Sequence, residues 1–95
     1  MRFEWDDAKS KANVAKHGAS FEEAVEVFED PFHLALLDRR FEYFEERWIT
    51  IGQTSARHLL VVANLYFTKE LEEVVRIISA REPSRNERRQ YEERE

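Results

Sequence analysis

The sequence predicts an α+β domain in the order β-α-α-β-β-β-β-α, with two N-terminal helices packed on a mainly antiparallel sheet and a helix at the C-terminus. Two observations carry this expectation. Up to Pro31 the apolar residues recur at helical spacing, and beyond it they run in extended stretches rich in branched and aromatic residues. Helices that come first, with strands following in succession, favour antiparallel pairing over the alternating units of a parallel sheet. Such a sheet needs one dry face, which leaves the other open to polar side chains.

Each element has its own signal. "MRFEW" places aromatics at alternate positions and reads as a first strand. In "DDAKSKANVAKHG", Asp6 and Asp7 suit a helix N-terminus, lysines follow, and Gly18 suits the residue just past the end. "SFEEAVEVFED" is the clearest helix: Ser20 and Glu23 form a capping box, and Phe21, Ala24, Val25 and Phe28 mark one face. Asp30-Pro31 stops it. "FHLALLD" is then a strand, "RRFEYFE" a turn or hairpin with an exposed aromatic cluster, and "RWITIG" a strand ending at Gly52. "RHLLVVANLYF" is the most strand-like segment. "TKELEE" makes a turn, although it lacks the Gly or Asn of a tight hairpin, and "VVRIISA" is the last strand. Pro83 or Ser84 starts the terminal helix, with Ser84 and Glu87 as a second capping box.

Strand phase predicts the faces. Leu59, Val61, Ala63, Leu65 and Phe67 form one wholly apolar phase, and the opposite phase ends in Asn64 and Tyr66. Val75, Ile77 and Ser79 alternate with Val74, Arg76 and Ile78. The simplest grouping puts Trp48, Thr50, Asn64, Tyr66 and Arg76 on the wetter face.

The 95 residues support one domain, 1–95, with one modest core. No apolar stretch is long enough to span a bilayer, the start lacks the apolar core of a signal peptide, and there is no cysteine. The expectation is a cytoplasmic protein held together by packing alone. A formal net charge of −5 argues mildly against life on nucleic acid, but the charge is uneven. Acids dominate residues 22–46, whereas Arg76, Arg81, Arg85, Arg88, Arg89 and Arg94 crowd the end. Alternating charges on a solvated helix would look the same.

The chain resembles the BrnT family of type II toxin–antitoxin toxins over nearly its whole length. The resemblance rests on Phe3, Trp5 and Asp6, on Lys16-His17-Gly18, on Ile78-Ser79-Ala80-Arg81, and on Glu87, Arg88 and Tyr91 of the last helix. It implies a RelE-like fold and a ribonuclease that halts translation by cutting RNA. It also implies neutralisation by a BrnA-like antitoxin, whose DNA-binding portion alone brings the pair to operator DNA. Two departures stand out: Pro83 replaces a small residue, and the turn before the last strand lacks glycine.

Cutting RNA without a metal needs a base for the ribose 2′-OH, an acid for the leaving 5′-oxygen, and a cation for the phosphate. The candidate catalytic residues are Arg76, Arg81, His17, Glu87 and Tyr91; the candidate RNA contacts are Lys16, Ser79, Arg85 and Arg88. Each also has a plain structural role. Arg76, amid valines and isoleucines, needs a phosphate, water or an acid such as Glu46. Arg81 holds phosphate or pairs with Glu82 or Asp38. His17 and Lys16 suit a helix C-terminus as well as RNA. Glu87 completes a cap or acts as base, and Tyr91 packs or stacks on a base. Ser79 ends the strand or meets phosphate, while Arg85 and Arg88 share one side of the helix. His33 and His58 read as structural. No ligand spacing points to a metal, and no cofactor motif is present. The rival is a non-enzymatic module that binds a DNA-binding partner and acts as its co-repressor; the modest net charge favours it.

Overall fold

The computed structural model describes residues 1–39 and 46–93. Its elements are β1 (Arg2–Glu4), α1 (Asp7–His17), α2 (Phe21–Glu29), β2 (Leu34–Leu37), β3 (Trp48–Gln53), β4 (Leu59–Lys69), β5 (Glu72–Arg81) and α3 (Arg85–Glu92), in the expected order. Most of "RRFEYFE", read as a turn or hairpin, lies outside the described residues.

Helix ends follow local chemistry. The Asp6 carboxylate accepts the Ala8 and Lys9 N–H groups at the start of α1, and Gly18 closes that helix at φ 72°. Both capping boxes form, Ser20 with Glu23 at α2 and Ser84 with Glu87 at α3.

The strands form a sheet in the order β1-β5-β4-β3-β2. Only the β1–β5 pairing is parallel among the described strands; the others are antiparallel. Phe21, Ala24 and Val27 of α2 cover one face, against Leu60, Val62, Val75, Ile77 and Ala80. Tyr91 of α3 closes over Ile51, Leu59 and Val61 on the other. Helix α2 rides so close to β3 that a Cβ on Gly52 would stand 2.7 Å from both the Val27 side chain and its carbonyl oxygen.

Two phase expectations are corrected. Trp48, Thr50, Asn64 and Tyr66 do share a face, but it is the one beneath the helices. Thr50 and Asn64 are fully buried there; the Thr50 hydroxyl donates to Asn64 Oδ1 at 2.8 Å, while Asn64 Nδ2 finds no hydrogen-bond partner among the described residues. Arg76 opposes Leu65 and so faces the other way. The second correction concerns β5, where the pairing steps from Ala63–Ser79 to Asn64–Ile77. Ile78 is thus an extra residue, a bulge that reverses the alternation beyond it. Ala80 joins Val75 and Ile77 in the core, and Ser79 and Arg81 turn to the α3 face with Arg76.

Candidate functional site

Where β4 begins and β5 ends, the sheet margin opens into a groove of ≈ 400 Å³. Helix α1 contributes His17 and Gly18, the turn before β4 contributes Arg57 and His58, and the β5–α3 side contributes Glu82 and Arg88.

Asn13 sets this margin. Its amide donates to the carbonyls of Ala19 and Ala80, each at 2.8 Å, and its Oδ1 accepts the Ala80 N–H at 3.2 Å. A single buried side chain therefore clamps α1 to the end of β5, holding His17 in register with Arg81 and Glu82. Lys16 and His17, in the last turn of α1, lie where the helix dipole favours cations. Opposite them, Thr54 ties the turn: its N–H donates to the His58 carbonyl at 2.9 Å, and its hydroxyl accepts the His58 N–H at 3.2 Å. Arg57 takes a positive φ of 65° to complete that turn.

Arg81 borders the groove but is engaged. Its two terminal nitrogens donate to the two Glu87 carboxylate oxygens at 2.8 and 2.9 Å, and one also donates to the Glu82 carbonyl at 3.1 Å. The Arg81 hydrogen bonds, opposed by burial and helped by the Ser84 N–H, hold the Glu87 carboxyl down at about 2. Glu87 is therefore ionised near neutrality, with both oxygens occupied, and is poorly suited to take a proton.

Tyr91 is buried and its hydroxyl donates to Asp30 Oδ2 at 2.5 Å. Asp30, at the end of α2, also accepts the Phe32 and Gln53 N–H groups at 2.9 and 2.8 Å. Burial pushes the Asp30 carboxyl up, but these hydrogen bonds, led by Tyr91, and the nearby His33 outweigh it and leave it below the usual carboxylate range. Tyr91 anchors α3 to the fold through Asp30 and through packing on Ile51, Leu59 and Val61.

The structure therefore gathers only part of the residues singled out by sequence. His17 and Arg88 line one groove, Arg81 and Glu87 stand paired beside it, and Lys16 is exposed next to His17. Arg85 lies exposed in the first turn of α3, and Ser79 opposes Ala63 within the sheet. Arg76 stands elsewhere, with Glu4 as its partner at 3.1 Å rather than Glu46. The strand partners of Arg76 and Arg81 are Leu65 and Val61, four residues apart. That is roughly 13 Å of strand, so the two arginines are not side by side. Arg57 and Asn13 are not singled out by the sequence, and His58, read there as structural, also lines the groove. An Arg-His pair opening the strongest strand was a signal for Arg57 and His58, and an asparagine in mid-helix for Asn13. Among the described residues, no group of three or more His, Asp or Glu could hold a metal.

A family model described as a ribonuclease toxin, BrnT, of type II toxin–antitoxin systems matches residues 5–87. Among solved structures, the chain is similar to the crystal structure of the Brucella abortus ribonuclease toxin, BrnT, at 27% identity and a TM-score of 0.62; the alignment covers 90% of this chain and 99% of that one. No curated protein matches it.

Proposed function

This chain belongs to the BrnT family of ribonuclease toxins of type II toxin–antitoxin systems, and from that membership we propose a metal-independent endoribonuclease that inhibits translation by cutting RNA at the α1–β4–α3 groove. The observation that carries this reading is the convergence of His17 and Arg88, from opposite ends of the chain, on one groove at the sheet margin. Arg88 holds the phosphate as a permanent cation, with Arg57 facing it, and His17 moves a proton. Arg81 braces the rim in an ion pair with Glu87, which balances its charge and fixes its orientation rather than acting as base. Lys16 and Arg85 extend the binding track along the exposed ends of α1 and α3.

The partner we propose is a BrnA-like antitoxin, with operator DNA reached only through it, in the cytoplasm. No helix among the described residues is long and apolar enough to cross a membrane. A basic antitoxin segment suits the acidic hollow lined by Glu26, Glu29 and Asp30, and an interface that also covers the groove would exclude RNA.

The test is direct. Purified chain, freed of antitoxin and kept in EDTA, should cut single-stranded RNA to fragments ending in a 2′,3′-cyclic phosphate, and a cell-free translation reaction should stop. Intact RNA would overturn the enzyme reading in favour of the co-repressor module. Antitoxin added first should protect the RNA.

A further inference from the structure

We infer that His58 is the second proton-transfer group of this site, working across the groove from His17; the inference rests on the ribonuclease reading above. Transphosphorylation moves two protons on opposite sides of phosphorus. As the 2′-oxygen bonds to phosphorus its proton goes to a base, and as the bond from phosphorus to the 5′-oxygen breaks that oxygen takes a proton from an acid. The products are a 2′,3′-cyclic phosphate and a free 5′-hydroxyl, with no proton gained or lost overall. Two groups on opposite walls accomplish this in a single passage.

The surroundings eliminate most alternatives. Glu87 has both oxygens held by Arg81. Tyr91 is buried and spends its hydroxyl on Asp30. Glu23, which reaches the groove from α2, uses Oε1 to accept the Ser20 N–H at 3.1 Å and the Ser20 hydroxyl at 3.2 Å. Arg57 and Arg88 stay charged and cannot exchange protons near neutral pH. Among the described residues two carboxylates still compete: Glu82, which faces the groove from the β5–α3 junction, and Glu23, whose Oε2 takes no part in the bonds to Ser20.

His58 has the placement the task needs. It precedes Leu60 and Val62 on the strand phase that faces α1 and α2, so it approaches the groove from the sheet while His17 approaches from the end of α1. Its backbone is pinned at both N–H and carbonyl by Thr54, while the residue itself remains exposed to an incoming strand. The groove, at ≈ 400 Å³, has room for a phosphodiester. An imidazole on each wall lets one ring start neutral and the other charged, the pairing that gives a bell-shaped pH dependence.

The experiment compares wild type, His58→Asn and Glu82→Gln on one RNA from pH 5 to 9. It adds binding of the same RNA carrying a 2′-deoxy nucleotide at the cut, and thermal unfolding of each variant. For His58→Asn we expect cleavage to fall by about 10²-fold or more, with one limb of the bell lost, deoxy-RNA affinity within about threefold, unchanged unfolding, and partial rescue by free imidazole. A uniform fall with both limbs intact, or loss confined to RNA affinity, would overturn the assignment, as would limb loss in Glu82→Gln alone. Cleavage by wild type with an unaffected variant sinks this inference and leaves the ribonuclease reading standing; an inactive wild type sinks both.

Discussion

Arg81 and Glu87 meet through two near-parallel hydrogen bonds, and the exposure of the pair, 31% and 17%, leaves solvent some access to it. Neither Glu82 nor Asp38, the neighbours sequence offered, is the acid that closes the fork. A carboxyl that sits at about 2 in the fold and near 4.5 otherwise stabilises the folded state at pH values above 4.5, and that contribution fades as pH falls through 2. Partial exposure trims its size to about 1–2 kcal/mol. Glu87→Gln should therefore lower the melting temperature at pH 7, by about 4–8 °C for each kcal/mol lost. The gap should close steadily as pH is lowered from 5 towards 2. Calorimetry across that range checks it, and a gap of constant size would show that the ion pair is not its origin.

Among the elements, the β4–β5 hairpin departs furthest from expectation. The sequence reads "TKELEE" as the turn, yet the ladder runs on through Thr68–Glu73 and Lys69–Glu72. Only Glu70 and Leu71 remain to make the reversal, at φ 52° and 67°. Such a turn asks for Asn-Gly, and the absence of those residues is why the sequence pointed to something longer. Leu71 is fully exposed, so a change there sacrifices no packing. Leu71→Gly should raise stability by about 0.5–1 kcal/mol through relief of the left-handed backbone. Denaturant titration would read this as a higher midpoint at an unchanged slope; a lower midpoint would refute it. The bulge at Ile78 is the other surprise of this scale, and it sets where Arg81 points: without it, Arg81 would face α2 instead of Glu87. Nothing in "RIISAR" announces it, because a bulge is decided by what the partner strand can match.

At the scale of the whole molecule, a net charge of −5 coexists with a groove that draws Arg57 and Arg88 to one place. RNA affinity should thus fall as salt rises, with a shallow slope set by few phosphate contacts. Arg88→Ala should weaken binding at low salt and reduce that slope by about one. Arg76→Ala, whose guanidinium is paired with Glu4 away from the groove, should change the slope less. Filter binding between 50 and 300 mM salt separates them, and equal effects would mean that the track runs along β5 instead.

What the sequence determined by itself was the order of elements, both capping boxes, the stop at Pro31, and membership of a family carried by short motifs. These are legible because caps and hydrophobic periods are local, acting within a turn or two of the chain. Only the tertiary structure decided that Arg76 stands apart from Arg81, that Asn13 locks α1 to β5, and that His58 shares a groove with His17. Those facts depend on register, a bulge and contacts between residues far apart in sequence, and a shift of one position in any strand would have sent each side chain to the opposite face.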